Sequence, residues 1–141
     1  MDTSIFSHVN WLAILLATVA YFMIGGLWYS KVLFGNLWIK NSGVDMNDPN
    51  AKKGVGAIML FTFIMEFLAC IGLAFLVVRL DLVGGVMSGV KLGLFTGVLF
   101  SAVVIGISYM YQRKSTTLCM VDSGYHIVAQ IVAAIILCMW V

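Results

Sequence analysis

The chain has 141 residues, of which 62% are hydrophobic and 10% charged, and its formal net charge is +2. Soluble domains carry about 45–50% apolar and about 25% charged residues, so this composition excludes an ordinary water-soluble domain and points to an integral membrane protein. The small, scattered positive charge excludes a nucleic-acid partner, and the length allows a single domain.

The opening segment, "MDTSIFSHVN", lacks the basic n-region of a secretory signal. The first apolar run is therefore expected to persist as a membrane span. A span needs about 20 mostly apolar residues, and four stretches meet that need: residues 11–29, 55–78, 84–111 and 119–141. None alternates as a strand would, and an open sheet leaves its backbone unpaired in lipid. The expected fold is all-α: a four-helix transmembrane bundle, with residues 30–54 as a cytoplasmic loop.

After the first span, "KVLFGNLWIK" places Leu33, Phe34, Leu37 and Trp38 at helical spacing. This pattern suggests a short helix lying in the interface, with Lys31 and Lys40 towards headgroups. A continuation of the first span fits the same pattern. Asp48 before Pro49 reads as an N-cap with proline at the first helical position, opening the second helix. Trp11, Trp28, Tyr29, Tyr111 and Trp140 sit near span ends as an aromatic belt does.

Four spans put both termini on one side of the membrane. The first loop carries Lys31, Lys40, Lys52 and Lys53, and the last carries Arg113 and Lys114; the opposite side has Arg79, and Lys91 if it snorkels there. That asymmetry places the two loops in the cytoplasm and both termini outside, in a bacterial-type inner membrane.

In the third span, Gly85, Gly89, Gly93 and Gly97 recur every four residues and are followed by Ser101. Residues spaced by four share a helix face, and missing side chains let another backbone approach closely. The stripe serves either packing within one protomer or a seam between copies in a homo-oligomer. Lys91 lies opposite the stripe. If the glycines pack inward, Lys91 faces lipid and must snorkel. If they face a second copy, Lys91 can turn towards its own bundle and approach Glu66.

Glu66 is the single charge between Lys53 and Arg79. Counted from Val55, it lies roughly 16 Å deep, near the middle of a hydrocarbon core about 30 Å thick. Its neighbours Thr62, Ala69 and Cys70 are small, which turns this face towards other helices. On the last span, Asp122, His126 and Gln130 are spaced by four and continue into Ala133, Ala134 and Cys138. Ile127, Ile131 and Ile135 then form an opposite stripe, expected to face lipid. Tyr21 sits near mid-depth on the first span, so Tyr21, Glu66, His126 and Gln130 could converge, with Asp122 at the cytoplasmic mouth.

Two functional readings follow. In one, Glu66 and His126 exchange protons or hold a small solute, because an intramembrane ionisable group needs a reason for its cost. In the other, Glu66 hydrogen-bonds to Gln130 or Tyr21 and only fixes helix packing. An intramembrane enzyme ranks below both. No Ser or Cys has an evident base and orienting partner. The histidines, His8 and His126, lie near opposite membrane faces and cannot share an ion. Cys70, Cys119 and Cys138 form neither a zinc motif nor a disulfide framework. No phosphate or dinucleotide loop is visible, and no metal or cofactor is expected. The expected partners are the lipid bilayer, a second copy of the chain, and a proton or small solute.

The segment "VNWLAILLATVAYFMIGGLWYSKVLFGNLW" (Val9–Trp38) resembles the opening signature of an uncharacterised membrane family, domain of unknown function 1761. The segment "MVDSGYHIVAQIVAAIILCMW" (Met120–Trp140) resembles its closing signature, with Gly124, Tyr125 and Trp140 at matching places. Lys31 departs from the family pattern, which has proline there. The resemblance implies a small four-span membrane protein, and it implies no activity and no functional residue.

Overall fold

The computed structural model describes residues 9–45, 47–51 and 53–140. The expectations for His8, Lys52 and Val141 lie outside the described residues. Six helical segments follow one another: α1 (Trp11–Trp28), α2 (Gly35–Ser42), α3 (Val55–Arg79), α4 (Gly85–Thr96), α5 (Val103–Tyr111) and α6 (Thr116–Met139). A π-helical turn, Gly97–Ala102, joins α4 to α5, so Gly85–Tyr111 runs as one rod. Four helices are long and apolar enough to cross a membrane: Trp11–Trp28, Val55–Arg79, Gly85–Tyr111 and Thr116–Met139. The fold is an all-α, four-helix transmembrane bundle with the short helix α2 after the first span.

Local chemistry explains the boundaries. The side chain of Asn10 accepts from the amides of Leu12 and Ala13, both at 3.1 Å, and caps α1. The chain then turns back tightly: the amides of Phe34 and Gly35 donate to the carbonyls of Trp28 and Ser30, each at 2.9 Å. A Cβ at Gly35 would collide with the backbone of Tyr29 and Ser30, so only glycine permits this reversal. At the start of α6, Ser115 accepts from the Leu118 amide at 3.1 Å. The same hydroxyl donates to Asn41 at 3.1 Å, which pins α2 over the loop-side end of α6.

The start of α3 departs from the sequence expectation. Asp48 caps a turn and not a helix: its side chain accepts from the Asn50 amide at 2.8 Å and its carbonyl from the Ala51 amide at 2.9 Å. Gly54, with φ +80°, breaks the chain direction before α3 opens at Val55. A left-handed residue cannot continue a helix from Pro49, so the proline serves the preceding loop.

Helix α6 is the hub of the bundle. It packs on α4 and the π-helical turn along one side, and on α1 and α3 along the others. Ala129, Ala133 and Ala134 are fully enclosed. Small side chains there let four helices share one axis closely, and packing of this kind is what associates helices in lipid, where apolar burial supplies no drive. The outer surface is apolar in the complementary sense, with Met23, Ile58, Phe61, Met65, Phe95 and Val104 exposed.

Three of the four striped glycines make the tightest contact. A Cβ at Gly89 or Gly93 would meet the backbone of Ile135 or Ile131, and one at Gly97 would lie 2.8 Å from the Ile127 Cα. These glycines therefore pack within the chain, α4 against α6. The isoleucine stripe expected to face lipid is in fact the seam itself, with Ile127, Ile131 and Ile135 half-buried. The expectation failed because bulky residues on α6 can still expose their backbone to glycines on a partner helix. Gly85 does not join the stripe. It has φ +58° and open space around it, and it starts α4. Lys91, on the far side of α4, is exposed, in line with inward-packed glycines.

Candidate functional site

A column of polar side chains descends α6 from its loop-side end. Asp122, Tyr125, His126 and Gln130 lie on successive turns, and eight residues of helix span about 12 Å. Each meets a hydroxyl or carboxyl from another element.

At the mouth, both oxygens of Asp122 are occupied. The Tyr29 hydroxyl, just past α1, donates to Oδ1 at 2.7 Å. The Tyr109 hydroxyl, on α5, donates to Oδ2. Lys114 sits 5.0 Å above the Tyr109 ring, adding a cation–π contact on the outside of this clamp. Trp28 donates its indole N–H to the Val121 carbonyl at 3.0 Å and stacks at 4.6 Å on Phe34. Trp38 of α2 packs 6.0 Å from the Tyr29 ring. The mouth is thus lined by aromatics that α2 holds down.

Deeper in, Tyr21 and His126 share a hydrogen bond of 2.7 Å between the phenol oxygen and Nδ1. Beside them, the Tyr125 hydroxyl donates to Glu66 Oε1 at 2.5 Å. The two pairs touch through their rings: Tyr21 and Tyr125 meet edge to face at 5.6 Å, and Tyr125 lies 4.7 Å from His126 and 5.4 Å from Tyr29. Edge-to-face pairs each contribute about 0.5–1.5 kcal/mol beyond area burial, so the cluster is held by its rings as well as its bonds. Gln130, at the bottom, donates to the Ser101 hydroxyl on the π-helical turn.

Two glycines make room for this arrangement. A Cβ on Gly25 would lie 2.9 Å from the Tyr125 hydroxyl, so Tyr125 reaches Glu66 only because α1 has no side chain there. A Cβ on Gly124 would lie 3.1 Å from the Trp28 ring.

Glu66 is 5% exposed, and its Oε2 is buried with no hydrogen-bond partner among the described residues. An unmet buried polar atom costs about 1–3 kcal/mol. A site that carries this cost without offsetting it nearby is a candidate for function.

The five candidate residues all line this column, and the partner of Glu66 differs from the sequence expectation. Glu66 was expected to meet Gln130 or Tyr21; it meets Tyr125. Gln130 meets Ser101, and Tyr21 meets His126. Sequence reasoning missed Tyr29, Tyr109, Tyr125 and Ser101. Tyr125 is three residues after Asp122 and so faces the same interior, which is a signal present in the sequence. Tyr29 looks like an ordinary belt residue until the chain reversal at Gly35 is known. Among the described residues, no three His, Cys, Asp or Glu side chains group as a metal site.

The model of a family described as protein of unknown function (DUF1761) matches residues 12–138. No curated protein and no solved structure matches the chain.

Proposed function

The chain belongs to the DUF1761 family of proteins of unknown function, and from that premise we propose that this member passes protons through the interior of its bundle. The observation that carries the reading is the buried, unpartnered Oε2 of Glu66 beside the Tyr125 hydroxyl. A carboxyl oxygen without a partner halfway along a span is a place where a proton can be taken or released at low reorganisation cost. The Tyr21–His126 pair, one contact away, is a second such place, since an imidazole carries a proton on either ring nitrogen. Asp122 draws protons to the mouth on the side of the basic loops. Transfer between the pairs requires the Tyr125 hydroxyl to turn from Glu66 towards Tyr21, whose ring packs edge to face on the Tyr125 ring at 5.6 Å. Within each pair the side chains meet at hydrogen-bond distance, and the pairs pack ring on ring, which favours a proton over a larger solute as the species carried.

On this reading the protein is a multi-pass protein of a bacterial inner membrane, with both termini outside and the loops at residues 30–54 and 112–115 inside. The basic residues Lys31, Lys40, Lys53, Arg113 and Lys114 of those loops support that orientation.

One observation favours a second reading, a scaffold whose polar groups only fix packing. Asp122, His126, Gln130 and Tyr21 all have partners inside the bundle, as structural ties do. A proteoliposome flux assay separates the two. Glu66→Gln keeps shape and hydrogen-bonding capacity while removing the acid. A loss of proton flux with unchanged thermal stability supports the relay. Equal flux in both proteins discards it.

A further inference from the structure

The loop-side end of the bundle gathers cations that are far apart in the sequence. Two ties bring α2 to the turn between α5 and α6. The Ser115 hydroxyl donates to Asn41 Oδ1 at 3.1 Å, across 74 residues of chain. The second tie runs through rings: Trp38 packs on Tyr29, and Tyr29 shares Asp122 with Tyr109 of α5. Lys40 precedes Asn41, and Arg113 and Lys114 precede Ser115. Consecutive Cα atoms lie about 3.8 Å apart, so Lys40 and Lys114 are separated by little more than that one bond and the two short side chains that make it. All three cations are exposed. The Lys114 ammonium stands 5.0 Å over the Tyr109 ring, which holds it at this corner. The carboxylates of this end are engaged elsewhere. Asp45 and Asp48 accept from amides of their own loop, at 2.9 and 2.8 Å, and Asp122 is held by the two tyrosines.

Arg113 stands where an arginine is costly. The turn after α5 closes through two backbone bonds, from the Lys114 amide to the Tyr109 carbonyl at 3.0 Å and from the Arg113 amide to the Met110 carbonyl at 3.1 Å. This closure needs a left-handed residue, most often glycine, and Arg113 fills it with φ +53°. In that region a Cβ crowds the neighbouring carbonyl oxygen. The chain gives up the easy residue for a guanidinium, a group that pairs in bidentate fashion with phosphate.

The surroundings of the cations select the anion. The span Gly85–Tyr111 ends just before Arg113, and the span Thr116–Met139 begins just after Lys114. The cations therefore stand where headgroups meet hydrocarbon. Met110 and Tyr111 are exposed on the last turn of α5, and Leu37 is exposed on α2. A soluble anion leaves that apolar surface bare, whereas a phosphate carried on acyl chains covers it. A zwitterionic headgroup brings its own cation beside the phosphate, in competition with these three. We propose that Lys40, Arg113 and Lys114 form a site for the phosphodiester of one anionic phospholipid, whose acyl chains lie against Met110 and Tyr111. The site uses none of Tyr21, Glu66, Tyr125 and His126, and it stands whether or not the relay does.

The test uses the full chain in a neutral detergent, with bound lipid counted by native mass spectrometry. The probes are phosphatidylglycerol and phosphatidylcholine with the same acyl chains. The expected result is saturable binding of one phosphatidylglycerol at concentrations where phosphatidylcholine is not retained. Arg113→Gly should weaken that binding about fivefold, the worth of one cation beside an anionic headgroup. The same variant should raise the lipid-free unfolding midpoint, because glycine relaxes the left-handed turn. Opposite signs in the two readouts separate a lost lipid contact from a damaged fold. Lys40→Gln, at an exposed position, should weaken binding by a similar factor, and it decides the matter if Arg113→Gly lowers the midpoint instead. Arg79→Gln removes one charge at the far end of α3 and should leave binding unchanged. The proposal falls if the two lipids bind equally well, or if Lys40→Gln or a well-folded Arg113→Gly binds phosphatidylglycerol as the wild type does. It falls if Arg79→Gln weakens binding as much, since only net charge then counts. It also falls if inorganic phosphate displaces the lipid and raises the unfolding midpoint as much, since the occupant is then a free phosphate.

Discussion

Tyr125 crosses the gap left by Gly25 to place its hydroxyl 2.5 Å from Glu66 Oε1. Three helices meet in that contact: α6 supplies the phenol, α3 the carboxyl, and α1 the space. Removing the phenol oxygen leaves Glu66 with neither oxygen bonded. Tyr125→Phe should therefore destabilise the protein by about 1–3 kcal/mol, the cost of an unmet buried polar group. The pair is best read by a double-mutant cycle with Glu66→Leu, followed by thermal or denaturant unfolding in detergent. The coupling should be about 0.6–2 kcal/mol, as for hydrogen bonds between membrane helices. A coupling of zero would mean that the bond contributes nothing to the bundle.

Gly25→Ala tests the same contact from the third helix. The added methyl would sit 2.9 Å from the Tyr125 hydroxyl, so the ring must shift away from Glu66. Proton flux should then fall, and Tyr125→Phe should lower it likewise, although in Gly25→Ala no polar group has been touched. Gly26→Ala, next to it and with open space around its position, is the control and should retain wild-type flux. Equal flux in Gly25→Ala and wild type would show that the Tyr125–Glu66 bond is not on the pathway.

These contacts show how far the sequence is legible. The four spans follow from composition and run length, because lipid demands long apolar helices whatever the fold. Glu66 stands out as a lone charge, and the four-residue spacing on α6 puts Asp122, His126 and Gln130 into the interior. The pairing is not legible. A carboxyl at a given depth has several candidates at the same level, and which one wins depends on helix rotation and on absent atoms such as the missing side chain at Gly25. Spacing alone likewise assigned Ile127, Ile131 and Ile135 to lipid. Their role in the seam with α4 depends on backbone approach, to which side-chain hydropathy is blind. Tyr29 and Tyr109 come from elements flanking the mouth and converge on Asp122 only once the chain reversal and α5 are in place.

The glycine seam gives a graded stability series. Gly89→Ala and Gly93→Ala force a methyl into the backbone of α6, and overpacking of this kind costs about 1–3 kcal/mol. Gly72→Ala and Gly106→Ala have open space and helical backbone. They should be neutral or stabilising by up to about 1 kcal/mol, since alanine is the better helix former. Unfolding midpoints in one detergent suffice. If all four variants behave alike, the close α4–α6 approach is not what holds the bundle.

The clamp on Asp122 should act as a unit. Tyr29 and Tyr109 reach it from opposite ends of the sequence and each fills one oxygen. Tyr29→Phe or Tyr109→Phe alone leaves one charge-assisted bond and should cost about 1–2 kcal/mol. Losing both leaves a half-buried carboxylate with neither hydroxyl, so the double variant should cost more than the two singles added together. Asp122→Asn in the double background should recover part of that loss, because a neutral amide is cheaper to leave unpaired than a charge. Strict additivity, with no recovery by Asp122→Asn, would show that water already satisfies Asp122 and that the two tyrosines serve only as packing.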